Sequence, residues 1–157
     1  MKKTLIIILG LCLFFSSNVY AADRKLIDIR DKIFEESKQI NTLLSKSNDA
    51  VLLISMFDSC VVAISQIDAY ISMLGVYESI KNGTATKGTF DLLSNWLVVI
   101  KNTNSLNIGK LNDQKQVTDP LTKTYIERLK GYFAILNNQV NTELGKINAL
   151  KASARIK

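Results

Sequence analysis

The chain has 157 residues, and its twenty basic and fourteen acidic side chains leave a formal charge of +6, with the basic surplus in the second half, too mild for a nucleic-acid-binding signature. Histidine is absent, which removes the commonest general base and metal ligand and, with them, Ser–His–Asp and Cys–His catalysis. Two cysteines and no glycine-rich phosphate loop exclude a disulfide framework and cysteine-pair zinc sites, so the chain reads as non-enzymatic, with no catalytic residues, no metal and no cofactor.

Lys2 and Lys3 precede an unbroken apolar run from Leu5 to Phe15, and Ser16, Ser17 and Asn18 lead into Val19-Tyr20-Ala21. A basic start, a short apolar core and small residues at the cleavage point define a signal peptide over 1–21. The run is eleven residues long, well short of the ~20 a bilayer-spanning helix needs. Residues 22–157 then form one domain, long enough to bury a core unaided. Cys12 leaves with the leader, so Cys60 is the one thiol of the mature chain. The leader's short form and export without disulfides point to a periplasmic or secreted protein of the bacterial cell envelope.

The first predicted helix covers 24–47. Leu26, Ile29, Ile33, Ile40, Leu43 and Leu44 share one face, with Ser37 filling a gap, while Asp28, Asp31, Lys32, Glu35, Glu36 and Lys38 form the charged face. Such a stripe predicts burial of one side against other helices.

A second helix is predicted over 49–81, capped by Ser47, Asn48 or Asp49, whose oxygens suit the free amides of a first turn. It is apolar almost all round, which predicts a central helix covered on most sides. Asp58, Ser65, Ser72 and Ser79 recur every seven residues and trace a narrow polar stripe. Asp58, Gln66 and Asp68 would each cost several kcal/mol in lipid, which argues against a membrane span. Cys60 lies in an apolar stretch and is expected to be buried and inert. Asn82-Gly83 then marks a turn.

The third predicted helix runs from a Thr89 cap to Asn102. Phe90, Leu93, Leu97 and Ile100 make one stripe, and Leu92, Trp96 and Val99 make an adjoining one. Asn102, Asn104, Asn107, Asn112, Gln114 and Gln116, with Gly109 and Lys110 among them, predict a long connection over 102–118, of a length that is often functional.

The fourth helix is predicted over 119–152. Thr118-Asp119-Pro120 sets a capping oxygen before a proline at the first helical position. Ile126, Leu129, Phe133, Leu136, Val140, Leu144 and Ile147 carry the apolar rhythm onward. Two helices of such length predict an all-α, elongated antiparallel bundle of four helices.

A bundle without reactive side chains is expected to act by contact, binding another protein through a helical surface in an inhibitor, immunity or chaperone-like role. The alternatives are a structural subunit of a secretion, conjugation or surface apparatus, with self-association, and a membrane-active helix. Trp96, Asp58, Asp68, Asn107 and Lys110 are the candidate contact residues. Trp96 is the sole tryptophan, a residue type enriched among binding anchors. Asp58 and Asp68 are carboxylates on the apolar helix, and Asn107 and Lys110 lie in the predicted connection.

Overall fold

The computed structural model describes residues 24–80, 87–114, 117 and 119–154. The expected leader and the Asn82-Gly83 turn lie outside the described residues. Within them are four helices and no strand: α1 over 24–43, α2 Ala50–Ile80, α3 Lys87–Asn112 and α4 Pro120–Ala154. At 1.5 Å per residue, the 35 residues of α4 extend about 50 Å.

Side-chain pairs between helices fix the arrangement. Arg30 of α1 meets Asp68 of α2, and Tyr125 of α4 donates to Gln39 of α1. Trp96 of α3 reaches Gln66 of α2, and Asn137 of α4 donates to Ser105 of α3. In each neighbouring pair, higher numbers on one helix meet lower numbers on the other. The bundle is therefore antiparallel, with α1 beside α2 and α4, and α3 beside α2 and α4. Helix α3 packs more extensively on α4 than on α2.

Each helix buries one seam with alternating spacings of three and four. Leu53, Met56, Cys60, Ala63, Ile67, Tyr70, Leu74 and Tyr77 form that seam on α2, and Phe90, Leu93, Leu97 and Ile100 begin it on α3. A 3.5-residue repeat favours shallow, left-handed packing of near-parallel rods.

Three expectations of burial and helix length need correction. Glu36 belongs to the buried seam of α1, with 3% exposure, rather than to its charged face. The predicted connection at 102–118 is helical to Asn112. Asparagine opposes this by only ~0.7 kcal/mol or less per residue, and burial of Asn104, Asn107 and Leu111 on the α3 seam overrides it. Finally, α2 is not covered on most sides. Ala50–Tyr77 is long and apolar enough to cross a membrane, yet only 28% of its most apolar window is buried.

The third helix begins at Lys87, so Thr89 lies within it and is not its cap as expected, whereas α2 and α4 start where their capping residues are. Ser47 Oγ accepts from the Asp49 amide at 3.0 Å, and the Asp49 carbonyl takes the first bond of α2, from the Leu53 amide. At α4, Asp119 Oδ2 accepts from the Thr122 hydroxyl at 2.6 Å and its amide at 3.0 Å, while Oδ1 accepts from the Leu121 amide. These bonds favour the ionised carboxylate and hold it below its ordinary value of 3.8, the Thr122 hydroxyl contributing most.

Asp119→Ala is expected to lower the melting temperature at pH 7. Because the folded-state value is depressed, the loss should vanish as pH falls below 3.8 and through that lower value, which melting curves across pH will test. Gly131 lies within α4 with open space where a Cβ would sit. Gly131→Ala is expected to raise stability by about 0.5–1 kcal/mol in urea titration.

Candidate interaction surface

The face of α2 opposite its buried seam is largely apolar. Val51, Ile54, Val62 and Val76 are 84%, 49%, 43% and 59% exposed. Ser55, Ser65 and Ser72 interleave with them, and two of these serines turn their hydroxyls back on the helix: Ser65 donates to the Val61 carbonyl and Ser72 to the Asp68 carbonyl. Such back-bonding leaves a face with little free hydrogen-bonding capacity. Asp58 is exposed at the middle of this face, and the second carboxylate, Asp68 in the row of Ile54 and Val61, is held by Arg30 at its edge.

Toward α1 the face runs into a groove of about 360 Å³, lined by Phe34 of α1 and by Phe57, Val61 and Ile64 of α2. Phe34 is 40% exposed, and the Lys38 ammonium lies 4.3 Å from its ring centroid. That cation covers part of the ring at modest energy, because the site is open to water.

The structure separates the five residues singled out from sequence. Asp58 stands on the open face of α2. Asp68 lies at the α1 edge, where Arg30 Nε and Nη2 donate to its two oxygens at 3.1 and 3.2 Å. This bidentate pair is half exposed and worth at most about 1 kcal/mol. Trp96 is half-buried in the α2–α3 seam, and its indole N–H donates to the Gln66 carbonyl at 3.0 Å. Asn107 lies in the same seam, 5% exposed, with Oδ1 3.4 Å from Ser59 Oγ. Lys110 is exposed in the last turn of α3, where its cation suits the helix dipole.

Trp96 and Asn107 thus belong with Gln66, which donates to Thr103 Oγ1 at 3.1 Å, in a polar belt that ties α3 to α2. The groove side chains Phe34, Phe57, Val61 and Ile64 escaped sequence reasoning. Their signal was present in the apolar residues of α2, which are too many for one buried seam.

Reactive groups are enclosed. Cys60 is fully buried, and burial together with nearby Glu36 pushes its thiol up to about 12, so it carries no thiolate at neutral pH. Glu36 lies 3.7 Å from the Arg128 guanidinium. Burial raises the Glu36 pKa above 4.5, and Arg128 opposes that shift. Among the described residues, no three of His, Cys, Asp and Glu gather as a metal-holding group. No protein-family model, curated protein or solved structure matches the chain.

Ionised Glu36 works against the fold, and Arg128 is half exposed, so removing the acid strands no buried cation. Glu36→Gln is expected to stabilise the protein at pH 7. The penalty of the native acid is complete above its raised folded value and absent below 4.5, so the gain should shrink to nothing on acidification, as denaturant titrations at several pH values will show.

Proposed function

We propose that the chain is an exported, non-enzymatic binding protein of the bacterial cell envelope that docks another protein onto the outward face of α2. The observation that carries this reading is the placement of an apolar, membrane-length helix on the outside of the bundle with its second face open. Exposed apolar area of this kind is unfavourable in water and marks an interaction site. Export rests on the leader-like residues 1–21.

A protein partner fits this face better than a bilayer does. Asp58 sits at its centre, and a carboxylate there would cost several kcal/mol on entering hydrocarbon. The residues of α2 include no base, so nothing on the helix attracts anionic headgroups. The complementary surface is an apolar helix or ridge that carries a lysine or arginine opposite Asp58. The groove beside Phe34 would receive a large side chain from that partner. Its role would be occlusion or scaffolding, since the chain brings no reactive group to the contact.

Ile54→Glu and Val62→Glu alter outward positions and should leave the helical dichroism and melting temperature nearly unchanged. Each is expected to reduce by tenfold or more the protein that co-purifies with the wild-type chain from an envelope fraction. Asp58→Lys should reduce it as well, through like-charge repulsion. Retention of the same partner by all three variants would remove α2 from the contact. Leakage of liposomes by the wild-type chain, in place of a co-purifying protein, would favour the membrane-active alternative.

A further inference from the structure

A second outward stripe runs along α3, on a different face from the one assigned to the partner. Leu92, Asn95, Val99, Asn102 and Leu106 repeat with spacings of three and four and are all exposed. Leu92, Val99 and Leu106 are 55%, 42% and 67% exposed. They lie opposite the buried Phe90, Leu93, Leu97 and Ile100. The pattern is the apolar-and-amide seam of a paired helix, about 21 Å from Leu92 to Leu106. Its flanks are engaged within the bundle: Trp96 and Thr103 bond to Gln66 on one side, and Ser105 bonds to Asn137 on the other. These contacts hold α3 in place and leave the stripe outside.

We propose that this stripe is a self-association surface, and that α3 pairs in parallel with α3 of a second copy of the chain.

The argument for a second copy is electrostatic and geometric. No member of the stripe is charged. In a parallel pair related by a two-fold axis, like positions meet like. Leu92, Val99 and Leu106 then face their own copies, as do Asn95 and Asn102. A carboxamide both donates and accepts, so two asparagines satisfy each other where two carboxylates would repel. An antiparallel pair would set the leucines against asparagines instead. The outward face of α2 lacks this self-compatibility, because Asp58 would meet Asp58. Asparagine in such a seam fixes register at some cost in stability. One helix face per protomer also falls short of the ~1,200 Å² of a standard interface, so the pairing is reversible and concentration-dependent.

Sedimentation equilibrium of the wild-type chain from micromolar to millimolar concentration should show the mass rising toward twice that of the monomer. Val99→Lys and Leu106→Lys, at outward positions, should keep the helical dichroism and melting temperature and abolish the rise. Asn102→Cys should form a disulfide-linked dimer on mild oxidation, and adding Leu106→Lys should suppress it. Ser72→Cys on the outward face of α2 should not cross-link at the same rate. Enclosed Cys60 does not compete. A monomer at every concentration would overturn the proposal. So would a dimer that survives both lysine variants, or a dimer whose Asn102→Cys form stays unlinked.

Discussion

The bundle depends on the burial of one seam per helix, repeated every seven residues. On α2 the seam runs without interruption from Leu53 to Tyr77, eight side chains over seven helical turns. Each large apolar side chain withdrawn from water contributes roughly 1.5–3 kcal/mol against the entropy of ordering the chain. With Cys60 the one described thiol and unpaired, no described cross-link assists. The other seams are less uniform: Glu36 interrupts that of α1, Asn104 and Asn107 that of α3, and Thr122 and Glu143 that of α4. Polar side chains at seam positions lower stability but discriminate between registers. Gln66, Thr103 and Trp96 bond across α2 and α3 beside the Asn104 and Asn107 level, and Lys151 bonds Asp91 across α3 and α4. Long rods with repetitive seams can slide by a heptad, and these specific contacts oppose such a slip.

Having its own apolar seam inside, α2 still carries Val51, Ile54, Val62 and Val76 outside. A helix needs about a 100° stripe to join a core, and the remaining apolar residues of α2 lie beyond that arc. Leu52, Phe57, Ile64, Ile71 and Met73 flank the core, while Val51, Ile54, Val62 and Val76 stay largely in solvent. The bundle is held through one side of α2, so substitutions on the two sides should have separable effects on stability.

How far the sequence could be read follows from the same distinction. Helix class and antiparallel order were legible because the 3-4 rhythm of residues such as Ile126, Leu129 and Phe133 reports a single buried face. The Asp119-Pro120 start was legible because capping chemistry is local. The length of α3 was not, since Asn104 and Asn107 look like connection residues until Leu111 and the groups of α2 give them places. Glu36 misled for a related reason: its charge suggested the solvent side, whereas its spacing from Ile29, Ile33 and Ile40 put it inside. For α2, apolar residues occupy both faces, and only the seven-residue row of Asp58, Ser65 and Ser72, exposed at each of these positions, marked the outward side. Trp96 could be weighed as core or contact but not placed, since the carbonyl it bonds lies thirty residues away. Asp58 and Asp68 look alike in sequence, and only the opposing Arg30 distinguishes the paired one.

The two outward faces differ in what they can recognise, and the difference lies in one charge. In the proposed reading, Asp58 on α2 disfavours pairing of that face with its own copy and favours a basic partner, whereas the stripe of Leu92, Asn95, Val99, Asn102 and Leu106 carries no charge. Because α2 and α3 are neighbours in the bundle, pairing through α3 leaves the outward face of α2 open on each protomer. A two-fold axis along the helices keeps the two α2 rods parallel and turns their outward faces to opposite sides of the pair. Each protomer of such a pair would then present its docking face to a separate partner molecule. Weak pairing along α3 would in this way double the docking faces of the assembly without adding any residue to either.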